Sequence, residues 1–71
     1  MLGGDKMNIS KRKIELLQAR RQLTNEEFAK RSGVNSRNIN LAKNRGSCTI
    51  ATAGKIAKGL GVDVTEILAD E

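Results

Sequence analysis

The segment Thr24 to Ala42, TNEEFAKRSGVNSRNINLA, constrains the fold of this chain more than any other. Thr24 followed three residues later by Glu27 is a capping-box pattern, in which each side chain accepts the other residue's backbone N–H at a helix start. Asn25, Glu26 and Glu27 suit the positive end of that helix's dipole. Phe28 and Ala29 turn inward, and Gly33 ends the helix where a left-handed backbone angle costs glycine little. Val34 crosses the turn. Asn35, with Ser36 as the alternative, caps the next helix, on which Ile39 and Ala42 form the inward stripe. At about 100° per residue, Arg37, Asn40, Leu41 and Asn44 point the other way. Two helices joined by a short glycine-containing turn and crossing steeply make a helix-turn-helix. Ala29 supplies the small residue at the crossing, while Val34, Ile39 and Ala42 anchor the second helix from beneath.

Around this unit the rest of the chain reads as helix. Residues 1–7 form a flexible leader, with Met7 a plausible second start, so a single domain occupies 8–71. A first helix starts at Asn8 or Ser10, whichever side chain caps it, and fades around Arg21–Gln22. Ile14 and Leu17 face its core side, and Lys11, Arg12, Lys13, Arg20 and Arg21 decorate the rest. After a turn at Arg45-Gly46-Ser47, a fourth helix starts at Cys48 or Thr49 and faces inward with Ile50, Ala53, Ile56, Ala57 and Leu60. Gly54 and Gly59 each cost that helix about 1 kcal/mol relative to alanine, so either packing demands closeness there or the helix is soft. Gly61-Val62 ends it, and Asp63 caps a short fifth helix carrying Val64, Ile67 and Leu68. The expected class is all-α: five short helices closing one small core.

Composition removes several alternatives. A chain of 71 residues buries only about 60% of the surface it exposes when unfolded, so stability is marginal unless something staples it. One cysteine excludes an intrachain disulfide, and the absence of histidine argues against structural zinc. Without histidine there is no Ser-His-Asp or Cys-His pair, and Cys48 has no activating base nearby in sequence, so no enzyme is expected. No metal, cofactor or small-molecule ligand is suggested by any motif. The absence of a membrane span or a signal-peptide core points to a reducing, cytoplasmic setting. Charge is unevenly spread: residues 1–47 hold eleven basic and four acidic side chains, a net of +7, and residues 48–71 hold two and four, a net of −2. Such a layout suits a polyanion facing the N-terminal two-thirds, although a solvated basic surface explains the charge equally well.

LTNEEFAKRSGVNSRNINLAKNRG, followed by KIAKGLGVDVTEIL, closely resembles the Cro/CI-type, or lambda-repressor-like, helix-turn-helix domains of phage and bacterial repressors. The resemblance runs from about Ile14 to Leu68. Its most specific parts are the A-x-x-x-G-V-x-x-x-x-I spacing from Ala29 to Ile39 and the closing IA-x-x-LGV segment from Ile56 to Val62. It implies five helices with the third lying in the major groove of DNA. Ser36, Arg37 and Leu41, with Asn40 adjacent, then fall at base-reading positions. Asn25 and Asn44 match phosphate-contacting ones, and Lys43 and Arg45 are further phosphate candidates. One departure stands out. Where the family commonly pairs an arginine on the first helix with a glutamate near the end of the third, this chain has Gln18 and Lys43. Lys43 is then left to reach a phosphate or to bond Gln18.

The expected function is sequence-specific binding of double-stranded DNA as a transcriptional regulator of the phage or bacterial repressor type. A homodimer is expected, because a reader this small covers one half-site. The alternative is a protein-interaction module on the same fold, binding a toxin or another regulator. Stacking-based RNA or single-strand recognition fits poorly, since Phe28 is the sole aromatic and is expected in the core.

Overall fold

The computed structural model describes residues 6–69 and is mostly helical. In chain order it runs β1 (Lys6–Asn8), α1 (Lys11–Arg20), α2 (Asn25–Ser32), α3 (Ser36–Arg45), β2 (Ser47–Thr49), α4 (Ile50–Leu60) and a single 3-10 turn, Val64–Ile67. No helix among the described residues is long and apolar enough to cross a membrane.

Helix starts follow the caps. Ser10 Oγ accepts from Lys13 N, Asn35 Oδ1 from Asn38 N, and Thr49 Oγ1 from Thr52 N. At α2 both arms of the capping box form: Glu27 N donates to Thr24 Oγ1 and Thr24 N donates to Glu27 Oε1, each at 3.0 Å. Gly33 takes φ 76° as α2 ends, the left-handed angle expected of it. α1 ends without a glycine. There Gln22 itself adopts φ 54°, and the N–H groups of Gln22 and Leu23 close back onto Ala19 and Gln18 carbonyls.

Phe28, Ile14, Ile56, Leu60 and Ile67 are the largest fully buried side chains, joined by Ile9, Ile39, Ala42, Ala53 and Ala57. Burying each of the large ones contributes about 1.5–3 kcal/mol. α2 and α4 approach closely: a Cβ on Gly59 would lie 2.7 Å from Ser32 Cβ and 2.9 Å from Ser32 Cα. Buried Ser32 is itself satisfied, donating to the Ala29 carbonyl and accepting from Val34 N. Its hydroxyl therefore also pins the turn into α3. Of the two roles open to the α4 glycines, Gly59 has the close contact, whereas a Cβ on Gly54 would meet nothing.

Three expectations are corrected. First, among the described residues there are four α-helices, not five, and a two-stranded antiparallel sheet makes the fold not purely α. Residues 64–67 stop after one 3-10 turn because the backbone beyond is committed elsewhere. Ser10 N donates to Ile67 O, Ala69 N donates to Asn8 O, and Leu68 is extended opposite Ile9. Second, Lys6 and Met7 belong to the fold rather than to a leader: β1 pairs Lys6 with Thr49, Met7 with Cys48 and Asn8 with Ser47. The remainder of the expected leader, residues 1–5, lies outside the described residues. Third, Ile50 faces solvent, 52% exposed, at the first position of α4, so the inward stripe of that helix begins at Ala53.

Candidate nucleic-acid interface

α3 is anchored by one face and open on the other. Ile39, Ala42 and Lys43 are its buried residues. Ser36, Arg37, Asn38, Asn40, Leu41, Asn44 and Arg45 are exposed. At about 100° per residue, Arg37, Leu41 and Asn44 cluster around the direction opposite the buried stripe, with Asn40 and Arg45 flanking them. Three of the four residues expected to read bases and two of those expected to hold phosphates thus share one exposed helical face, while Ser36, exposed as the first residue of α3, lies nearer the buried stripe. No acidic residue interrupts it. Leu41, 43% exposed, belongs to this face rather than to the core.

Asn44 Oδ1 accepts from Lys11 Nζ at 3.4 Å, which brings a cation from the start of α1 beside the C-terminal end of α3. The pairing uses the Asn44 oxygen and leaves its side-chain N–H groups available as donors. Beyond Leu41 and Arg45 runs a shallow groove of about 250 Å³, whose wall includes Asn38, Lys6 from β1, and Thr49 and Thr52 from the start of α4. Lys6 reaches this rim only because β1 pairs with β2. Nothing in its sequence neighbourhood marks it.

Asn25, the first residue of α2, is exposed, and its Oδ1 accepts from Gln18 Nε2 at 3.0 Å. The same Gln18 nitrogen bonds the Leu23 carbonyl, also at 3.0 Å, and the Asn25 side-chain N–H groups stay available as donors. Its electrostatic setting is mixed. Hydrogen bonds from the Thr24 backbone and hydroxyl hold the Glu27 carboxyl below the usual glutamate range. An anion approaching Asn25 therefore meets the acidic side chains of Glu26 and Glu27 in the same turn. The α3 end offers a better seat for a phosphate.

Lys43 leaves the set of expected phosphate contacts. Its side chain is buried and its Nζ sits 3.5 Å from Glu15 Oε2 on α1. No hydrogen bond joins it to Gln18, whose amide nitrogen donates to Leu23 O and Asn25 Oδ1 instead. The chain thus keeps an ion pair between the first and third helices. Its polarity is reversed relative to the pattern described for the resembling family, and its acidic partner lies one helical turn before Gln18. Glu15 is missed by position-by-position matching, although its spacing of three from Gln18 places it on the same side of α1.

Cys48 is half-buried on β2 opposite Met7, and burial pushes its thiol up, away from the thiolate that reactive cysteines need. Comparisons with protein-family models, with curated proteins and with solved structures return no match to this chain.

Proposed function

We propose that this chain is a sequence-specific double-stranded DNA-binding regulator, acting from the cytoplasm as a repressor-type helix-turn-helix domain with α2–α3 as its reading unit. The observation that carries the proposal is the exposed face of α3, where Arg37, Asn40, Leu41 and Asn44 project together from a helix anchored by Ile39 and Ala42. An α-helix fits the major groove, and arginine, asparagine and an apolar side chain match guanine, adenine and the thymine methyl there. Arg37 is assigned the leading specificity role, since a bidentate contact to guanine contributes about 1–3 kcal/mol of discrimination. Ser36, Asn40 and Leu41 complete the base-reading set. Phosphates are held by Asn44, with Lys11 beside it, and by Arg45, with a lesser contribution from Asn25. The sequence resemblance from Ala29 to Ile39 and from Ile56 to Val62 supports the same assignment.

The mechanism is non-catalytic. Phosphate contacts set the register, α3 reads the bases, and occupancy blocks or recruits polymerase. One domain covers one half-site, so two copies would bind half-sites about 34–36 Å apart. The test is selection from random duplex DNA with wild type and Arg37→Ala, followed by affinity at two salt concentrations. An enriched motif, relaxed at one position by Arg37→Ala, is the expected result. Failure to enrich any duplex, with weak unspecific binding at physiological salt, would overturn the proposal.

A further inference from the structure

We infer, resting on the DNA-binding reading above, that Leu41 reads the 5-methyl group of a pyrimidine, so that binding responds to cytosine methylation as well as to base sequence. Counted at about 100° per residue from buried Ile39, Arg37 lies at about 160° around α3, Leu41 at about 200° and Arg45 at about 240°. The middle of the exposed face is therefore held by its sole apolar residue, with an arginine on either side. Leu41 is 43% exposed and takes no part in the core, so core packing gives no reason for a leucine there. Apolar surface continues inward from it, since half-buried Val34 and Ala42 line the same groove.

The chemistry of the major groove decides what such a side chain can take. Base edges there present carbonyl oxygens, ring nitrogens and amino groups, and one apolar feature, the methyl on C5 of thymine. Leucine against a polar edge would strip water from it and return no hydrogen bond. Against the methyl, each apolar group leaves water for the other. Leucine carries no donor or acceptor, so it does not distinguish thymine O4 from the amino group of cytosine. What it registers is the methyl, and 5-methylcytosine carries that methyl on the same ring atom. Cytosine and uracil lack it.

Arg37 fixes where the methyl lies. The four residues from Arg37 to Leu41 span about 6 Å along the helix, and stacked bases are about 3.4 Å apart, so the pyrimidine lies within about two base pairs of the guanine assigned to Arg37. The two side chains divide the work: Arg37 selects a base, and Leu41 selects a methylated pyrimidine beside it. A protein partner would also cover an exposed leucine. The surrounding Arg37, Asn40, Asn44 and Arg45, with no acidic residue among them, favour the polyanion.

The experiment uses the duplex selected by the wild type. Each thymine of the motif is replaced in turn by deoxyuridine, and the responding position is rebuilt as cytosine and as 5-methylcytosine, each opposite guanine. Affinities are measured by fluorescence anisotropy for wild type, Leu41→Ala and Leu41→Met, with circular dichroism confirming that each variant folds. Two ratios are read, thymine over uracil and 5-methylcytosine over cytosine, and each compares duplexes that differ by one methyl alone. Burying one methyl raises affinity about fourfold. The wild type should show both ratios near that value at one position, close to the guanine whose preference Arg37→Ala relaxes. Leu41→Met, still apolar, should keep both ratios, and Leu41→Ala should abolish them. A wild type indifferent to both exchanges overturns the inference, while an enriched motif leaves the DNA-binding reading standing. So does a thymine response with no 5-methylcytosine response, or a pair of ratios that persists in Leu41→Ala. A chain that enriches no duplex overturns both, and a protein partner for this face then takes their place.

Discussion

Gly54 and Gly59 are five residues apart on α4, and the same substitution should move stability in opposite directions at the two sites. Alanine at Gly54 meets no neighbour, so it gains helix propensity without strain. An increase of about 0.5–1 kcal/mol is expected. Alanine at Gly59 drives its methyl into the Ser32 side chain and backbone, at distances where something must shift. Overpacking of this kind costs about 1–3 kcal/mol, enough to outweigh the same propensity gain. For a domain of this size each kcal/mol moves the melting temperature by about 4–8 °C, so thermal unfolding of the two variants separates the signs. The sequence could pose this choice but not settle it, because it contains no record that Ser32 is the residue opposite Gly59. Lys43 was opaque for the same reason. Its partner Glu15 lies 28 positions away, and only the packing of α1 against α3 brings them to 3.5 Å.

Among the elements, those whose start is written in a local cap were legible. Thr24 with Glu27, Asn35, Thr49 and Gly33 act within three or four residues of themselves, and each does in the structure what its spacing implies. The exposed set on α3 was legible too, from its 3.6-residue period. Thr24→Ala should cost about 1 kcal/mol by removing the hydroxyl arm of the capping box. Acid should erode the other arm. The Glu27 carboxyl is held below its ordinary value by bonds from Thr24, so its contribution is complete above about pH 4.5 and is lost as pH falls through its lowered folded value. Asp63, lowered by bonds from the Thr65 hydroxyl and backbone, behaves in the same way. Thermal melts between pH 3 and pH 7 should show stability falling at the acid end, with a shallower fall in Thr24→Ala. The elements that escaped are those defined by distant pairing. Lys6-Met7-Asn8 has no strand signature, and it becomes a strand because Cys48 and its neighbours offer backbone groups from across the chain. The last segment loses its helix for the same reason, its carbonyl at Ile67 and N–H at Ala69 being taken by residues 8–10. Ile9 sits where these connections meet and is 3% exposed. Ile9→Ala should therefore cost about 2–5 kcal/mol in urea unfolding, whereas a side chain in a free leader would cost nothing measurable.

At the scale of the whole molecule, the question is which of its cations a bound polyanion would feel. Net charge alone treats Lys43 and Arg45 as equals, since both stand near the end of α3. The fold separates them. Lys43 is buried with its ammonium against Glu15, while Arg45 is exposed beside the groove that also receives Lys6. Lys43→Met keeps the volume of a buried straight chain, and exchange of a buried charge for an apolar group is often near neutral when its partner can reach water. Glu15 is 52% exposed and can. On the proposed DNA-binding reading, a true phosphate contact releases a condensed counterion, so removing one lowers the slope of log affinity against log salt by about 1. Arg45→Ala should do so and weaken binding similarly across sequences. Lys43→Met should leave the slope unchanged, and Arg37→Ala should act chiefly on sequence preference. Salt titrations of the three variants on a selected duplex check this ordering. If Lys43→Met lowers the slope as Arg45→Ala does, then Lys43 leaves Glu15 for the phosphate on binding, and α1 and α3 must part their ion pair whenever DNA is held.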